Sequence, residues 1–399
     1  MSGGMLEGIR IIDLTSVVVG PLATQILADH GADVIKVESP AGDIGRSLSG
    51  KGRSPGMAPK YLHLNRNKRS ICLDLKHAEG LAALRRLIEG ADVLLWNVRP
   101  SSMERLGLSY EQVSAIKPDI IYCGMFGFGQ TGCYRAMAAY DSIIQGVSGV
   151  ADLNARVTGT PQYVPYVLAD RNAGLIAVQL IAMALFHRER TGEGQSIEVP
   201  MYENMVTQVM TEHMYQQTFV PPLGEAGDPR VLDKENRPIP TRDGYICISA
   251  NTDAQAFALF DAIGRPELKS DGRFNTVSAR FQNVQAYFSL RRQALASRTT
   301  GEWMTIFQQA DVPAAPYNSL ESLLDDPHLR EVGLFAKRQH PSEGEILEIQ
   351  PANKVSVGMR NDWMPAPRLG EHTTQVLQEA GLYEADISRL LAAGGARQG

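Results

Sequence analysis

The first 125 residues alternate between short apolar runs and helix-length stretches, and this alternation constrains the fold more than any other feature. Ile9-Arg-Ile-Ile-Asp-Leu14 reads as a buried strand. Pro21–His30 reads as a helix with proline at its first position and Gly31 as its stop, and Ala32–Glu38 as the next strand. Connections this tight imply a parallel strand–helix–strand unit with a right-handed crossover. The pattern recurs with a strand at Arg69–Leu75, an amphipathic helix at Glu79–Ile88 and a strand at Asp92–Val98. Helices near Ser101–Leu106 and Tyr110–Ile116 and a strand at Asp119–Cys123 follow. Such alternation predicts an α/β domain with a doubly wound, mostly parallel Rossmann-like sheet. The loop Thr15–Gly20 falls at the carboxyl end of the first strand, where open α/β sheets bind ligands. Glycine-rich Ser39–Lys60 reads as a flexible loop and a candidate lid.

Within this frame one carboxylate stands out. An apolar run, Val164-Pro-Tyr-Val-Leu-Ala, ends at Asp170, and Leu175–Phe186 then reads as a helix apolar nearly all round, hence a buried core helix. Asp170 falls at or just before its first turn, where free N–H groups and the positive helix end favour an ionised carboxylate. A carboxylate there is an ordinary cap in most proteins, and a nucleophile in some. Gly127-Phe-Gly-Gln-Thr-Gly132 fits the dinucleotide fingerprint G-x-G-x-x-G, but a weak helix start follows it and it comes late in the sheet. It reads as a glycine-rich loop lining a site.

Downstream, the helix Tyr140–Gly149 leads through a loop, Ala151–Pro161, to Asp170. His187–Gly194 reads as a charged turn, Gln195–Val199 as a strand and Met201–Gln217 as a helix whose methionines pack against a neighbour or a second subunit. Pro221–Pro229 is rich in proline and glycine. The resulting division is a large domain of residues 1–205 plus 326–399, a linker at 206–225 and a smaller α+β domain at 226–325. In that smaller part, Thr241–Ser249 reads as a turn and strand, with two or three helices over 252–310.

Composition excludes several classes. Net charge is -5 with both signs interspersed, which does not suit nucleic acid. Four cysteines without a CxxC pair point to neither metal nor disulfides, and to a reduced, cytoplasmic compartment. Met1-Ser-Gly-Gly-Met5 lacks a signal pattern, and the apolar run at 175–186 is too short for a bilayer.

Taken in order, a set of stretches resembles the class III CoA-transferases, which include formyl-CoA transferase, crotonobetainyl-CoA:carnitine CoA-transferase and α-methylacyl-CoA racemase. They are Leu6–Leu14, Gly20-Pro21, Gly31–Glu38, Asn65–Ser70 with Leu73–Lys76, Asn97–Pro100 with Glu104–Leu108, Gly127–Gly132, Asp170, Gly192–Gln195, Asp243–Ile246 and Asp326–Leu329. The resemblance spans essentially the whole chain. It implies an interlinked homodimer acting on acyl-CoA and a small carboxylic acid, with coenzyme A as substrate and no tightly bound cofactor or metal. Asp170 matches the catalytic aspartate, with Tyr140 lining the site beside it. Ser16, Val17 and Val19 match the pantetheine and thioester path; Leu73, Asn97 and Val98 match the adenine and ribose lining. Lys76, Arg99 and Arg105 match cations near the nucleotide phosphates.

The alternative within the family is a racemase, which needs two bases flanking an acidic α-carbon. Racemases have histidine where this chain has Tyr140, and a phenol with a pKa of about 10 is a poor base at neutral pH. Val18 replaces a glutamine of formyl-CoA transferase, which argues against the formyl and oxalate pair. Ser249–Gln255 replaces that enzyme's mobile glycine run, placing Asn251 or Thr252 as acceptor contacts and Asp253 as a faint echo of a racemase glutamate. A NAD oxidoreductase and a non-catalytic CoA-binding protein are the readings from other classes. Arg46, Arg135 and Arg171 are candidate partners for the second carboxylate of a dicarboxylic acceptor such as succinate or a C5 diacid.

Overall fold

The computed structural model describes residues 4–359 and 362–399, so the first three residues of the Met1–Met5 stretch fall outside it. β1 (Arg10–Leu14) leads through α1 (Val19–Asp29) to β2 (Asp33–Glu38), and α2 (Pro59–Asn65) leads into β3 (Lys68–Leu73). α3 (Ala78–Glu89) precedes β4 (Val93–Trp96), then α4 (Pro100–Arg105) and α5 (Tyr110–Ile116) precede β5 (Ile121–Phe126). α6 (Asp141–Val147), α7 (Val150–Thr158) and the long α8 (Leu168–Thr191) follow, then β6 (Gln195–Pro200) and α9 (Met201–His213). β7 (Ile239–Pro240), β8 (Tyr245–Ile248) and β9 (Ala314–Pro316) form a small antiparallel sheet. Four helices lie between its last two strands: α10 (Asp253–Ala262), α11 (Val277–Gln282), α12 (Val284–Leu295) and α13 (Thr300–Gln309). After α14 (Pro327–Glu331) come the hairpin of β10 (Phe335–His340) and β11 (Gly344–Ile349), α15 (Thr373–Glu379), α16 (Glu384–Ala392) and β12 (Ala396–Arg397).

The main sheet has the order β12-β3-β2-β1-β4-β5-β6 and is parallel except for β12, which pairs antiparallel with β3. Strand order therefore reverses between β1 and β4, and a crevice opens beyond their carboxyl ends. Both strands are buried, with Ile11, Ile12, Leu94 and Leu95 fully enclosed. The chain forms two compact units. One contains the sequence up to Ser148, Tyr163–Thr207 and everything from Gly333; the other contains Gly149–Gln162 and Gln208–Val332. The core of the second is aromatic, with Phe260, Phe274, Tyr287 and stacked Trp303 and Phe307.

Several local readings change. α1 begins at Val19, so Pro21 is its third residue rather than its first; an N–H there has no intrahelical acceptor in any case, and proline is tolerated. Residues 150–158 are helical where a loop was expected, held between left-handed Gly149 and Gly159. Residues 187–191 of the expected charged turn are instead the last turn of α8, which is closed by Gly192 with φ 78°. The stretch read as a linker begins inside α9 and continues in a 3-10 turn at Tyr215–Thr218.

The candidate lid is pinned rather than free. Arg46 is buried with its guanidinium on both Glu38 oxygens at 2.7 Å and 4.0 Å over the Tyr61 ring. α8 is not buried all round either. Ala169, Ala173, Gly174, Ala177 and Ile181 face inward, but Leu175, Met183 and Phe186 are 50%, 65% and 64% exposed. By length and composition alone the full 24-residue helix is long and apolar enough to cross a membrane, unlike the 175–186 run, yet its small-residue stripe packs against α1.

Candidate active site

A cleft of about 980 Å³ opens at the reversal point of the sheet. Its walls are the β1–α1 turn (Ser16–Val19), the β4–α4 turn (Asn97–Ser102), the end of β5 with Gly127, Phe128 and Gln130, the segment Arg135–Tyr140, and Asp170. Local chemistry fixes each wall. Asn97 clamps Ser16 in both directions: its Oδ1 accepts the Ser16 N–H at 3.0 Å and its Nδ2 donates to the Ser16 carbonyl at 2.8 Å. Val17 has φ 71°, an outlier for a β-branched residue. Its N–H donates to Asp43 Oδ1 at 3.0 Å, so the strained turn is held from outside.

Beneath that turn lies a buried charge network. Asp13 Oδ1 accepts the Thr15 N–H and its Oδ2 the Thr24 hydroxyl, and Lys68 Nζ lies 3.4 Å from Oδ2. Lys36 donates to the Thr15 carbonyl and pairs with Asp43 at 2.9 Å. Burial works to raise Asp13, but Lys68 and Lys36 beside it outweigh burial and hold the carboxyl below its usual range. Burial pulls fully enclosed Lys68 down to about 7. The stretch Asn65–Ser70 is thus structural: Arg66 and Asn67 bind Asp29, Lys68 binds Asp13 and Arg69 binds Asp33.

Asp170 occupies the first turn of α8, half-buried. Its own carboxylate does not cap the helix. The N–H groups of Ala169 and Asp170 donate instead to Asp141 Oδ1, at 2.7 and 3.2 Å, and Gln145 Nε2 donates to Asp141 Oδ2 at 2.7 Å. The helix end therefore stabilises Asp141, contrary to the expectation that it would keep Asp170 ionised. Burial first, and the Asp141 charge second, push the Asp170 carboxyl up to about 7 against a pull from Lys60 and Arg171. A carboxyl so placed titrates near neutrality, and as an anion it is more basic than a solvated aspartate.

Of the residues singled out from sequence, the structure brings Ser16, Val17, Val19, Asn97, Val98, Arg99, Tyr140 and Asp170 into this one cleft. Tyr140 is 70% exposed at the start of α6. Leu73 is not among the lining; it is fully buried in the core, paired with Ala396 of β12. Lys76 and Arg105 are exposed and lie outside the lining, Arg105 donating to Ser102. Among the candidate carboxylate partners Arg46 is consumed by Glu38, Arg135 lines the cleft, and Arg171 lies 5.2 Å over the Tyr166 ring. Sequence reasoning missed Asp141 and Asp43; an acid opening a helix four residues before Gln145 was the available signal for the first. Gly127–Gly132 runs from β5 into the cleft wall without a helix, and its Gly129 N–H donates to Glu203, so no dinucleotide-type helix end is built there. In the other unit Thr252 caps α10 through the Gln255 N–H, and Asp253 pairs with Arg280 at 2.8 Å. Both side chains therefore have partners within their own unit.

Comparison with known proteins finds one family across the chain. The model of CoA-transferase family III matches residues 6–373. A succinate–glutarate CoA-transferase of Agrobacterium fabrum is 35% identical over 393 residues, covering 95% of this chain and 96% of that one. The succinyl-CoA:glutarate CoA-transferase of Mus musculus is 34% identical over 394 residues, covering 98% and 89%. Among solved structures, a CAIB/BAIF family protein from Brucella suis superposes with a TM-score of 0.79 at 31% identity, covering 95% of this chain and all of that one.

Proposed function

The chain belongs to CoA-transferase family III, and from that membership we propose that it moves coenzyme A between two small dicarboxylic acids through covalent intermediates on Asp170. The observation that carries the reading is the Asp170 carboxyl, half-buried in the cleft and raised to about 7 beside Asp141. Its anion attacks the donor thioester carbonyl, forming an aspartyl–acyl anhydride and releasing the CoA thiolate. The thiolate then attacks the aspartyl carbonyl, which frees the donor as a carboxylate and leaves an aspartyl–CoA thioester. An acceptor carboxylate attacks that thioester to give a second anhydride and thiolate. Attack of the thiolate on the acceptor carbonyl yields the new acyl-CoA and restores Asp170. Each step exchanges one leaving group, so no free acid need be activated directly.

The relatives named for succinate and glutarate support C4 and C5 diacids as the pair, with Arg135 in the cleft wall as the cation for the distal carboxylate. Ser16–Val19 and Asn97–Arg99 would carry the CoA arm. The racemase alternative is not favoured: the matched relatives are named transferases, and Tyr140 supplies no second base. Mass spectrometry of the intact chain and its peptides, after brief mixing with succinyl-CoA, tests the reading. A CoA-sized adduct on the Asp170 peptide, absent in Asp170→Ala, is expected. An unlabelled peptide during turnover would remove the covalent mechanism.

A further inference from the structure

The second unit contains a cavity of about 290 Å³ that the proposed transfer chemistry does not use. It is lined by β8, the turn Ser249–Asn251, α11, α12 and the preceding Arg230 and Asn236, and none of its lining residues is acidic. Three of them are arginines. Arg280 is satisfied by Asp253 at 2.8 Å and the Phe274 carbonyl at 2.8 Å. Arg291 is 6% exposed and has no carboxylate partner among the described residues; one Nη donates to the Ile248 carbonyl at 3.2 Å while its buried Nε has no acceptor. Arg230, across the cavity lining, likewise has a buried Nε without an acceptor and no ion pair among the described residues. Its guanidinium lies 5.5 Å over the Phe281 ring, and that of Arg291 4.7 Å over Phe288. Rings satisfy a guanidinium face, but the in-plane Nε–H of each arginine has no acceptor.

A buried cation without a counter-ion is costly, and burial indeed lowers Arg291 from its ordinary value. An external anion in the cavity would offset that cost by completing the open Nε–H groups. We propose that this cavity is a second ligand site, for a small organic carboxylate whose anionic end bonds the in-plane N–H groups of Arg291 and Arg230. Its hydrocarbon part rests on Val277, Phe281, Val284 and Phe288. The volume admits a chain of a few carbons, and the apolar wall selects an organic acid over a bare inorganic anion. Occupancy would also fix Ser249–Asn251, since the Tyr287 hydroxyl that donates to the Ala250 carbonyl at 3.1 Å borders the same space. This site stands independently of the Asp170 chemistry.

Calorimetric titration of the full chain with glutarate tests it, with glutaramide and inorganic phosphate as comparison ligands, in wild type, Arg291→Met and Arg230→Gln. A crystal soaked in bromosuccinate locates the ligand by its bromine. A bromine in this cavity is expected, together with at least tenfold weaker glutarate binding at one site in both variants and no binding of glutaramide there. The half-exposed Arg230 keeps the test intact if Arg291→Met does not fold. Affinity unchanged by either variant, bromine found only in the cleft that holds Asp170, or phosphate bound as tightly as glutarate would each overturn the proposal.

Discussion

The role proposed for Asp170 sets two demands against each other: a nucleophilic carboxylate must be ionised to attack, yet a solvated, strongly stabilised anion attacks poorly. Burial beside Asp141 resolves this by bringing the group to about 7, where a substantial fraction is ionised and each ion is basic. Asp141→Asn removes the like charge but keeps an oxygen for the Ala169 and Asp170 N–H groups. The rising limb of log kcat/KM against pH should then move to lower pH by roughly 0.5–1 unit, with a lower plateau. An unmoved limb would mean that Asp141 does not set the titration. The same shift has a stability consequence. The folded carboxyl titrates above its unfolded value of 3.8, so the native state holds the extra proton between about pH 4 and 7, and stability falls as pH rises through that window. Asp170→Asn should therefore raise Tm at pH 8 by about 1–3 °C more than at pH 4, a difference that scanning calorimetry can read. Asp170 was legible because a lone acid preceded an apolar helix. Asp141 was not, because its effect acts through backbone N–H groups 29 positions away. Asn97 was legible as a residue of the cleft, whereas its two-way hold on the Ser16 backbone was not.

Elements place these residues through one close approach. α1 and α8 meet along the small-residue stripe of α8, and a β-carbon added at Gly174 would lie 2.7 Å from the Val19 carbonyl oxygen and 3.2 Å from the Leu22 side chain. Backbone cannot yield as a side-chain tip does. Gly174→Ala should thus push the start of α1, and with it the strained Ser16–Val19 turn, away from Asp170. The expected result is a loss of about 1–3 kcal/mol in stability and a raised KM for acyl-CoA, checked by denaturant unfolding and steady-state kinetics. Unchanged values in both would show that the approach is slack. The alternation of periods made β1–β5 readable, because each strand holds a short apolar core between turn residues even where Asp13, Lys36 or Lys68 is set within it. β12 escaped because Ala396-Arg397 is two residues of edge strand whose only warrant is pairing with β3. α7 escaped because Gly149, Gly159 and Pro161 around it weigh toward a loop, although Val150–Thr158 itself alternates apolar and polar residues.

For the molecule as a whole, an isolated chain leaves too much apolar surface in the open. Leu175, Met183 and Phe186 form an exposed stripe on α8, and Ile143 and Val147 add apolar surface on α6. Clusters of this kind on a folded unit mark surfaces that a partner covers. The sequence reading took α8 as buried on every side because apolar periodicity reports burial without saying which chain supplies the cover. We propose that the cover is a second copy threaded through the first, as the family resemblance suggested, and threading makes a kinetic prediction that simple docking does not. Docked dimers exchange subunits at their dissociation rate. Threaded ones must unfold a unit first, so exchange is tied to the unfolding barrier. Light scattering should give about twice the chain mass. When dimers labelled with donor and with acceptor dyes are mixed at micromolar concentration, no energy transfer should develop over hours in buffer, and transfer should appear after brief unfolding and refolding. Transfer within minutes under native conditions would show a docked interface, and a monomer in solution would leave the α8 stripe to some other partner. Phe186→Glu with Met183→Glu separates these outcomes further: it should lower dimer yield on refolding if this stripe is the covered surface, and leave it unchanged if it is not.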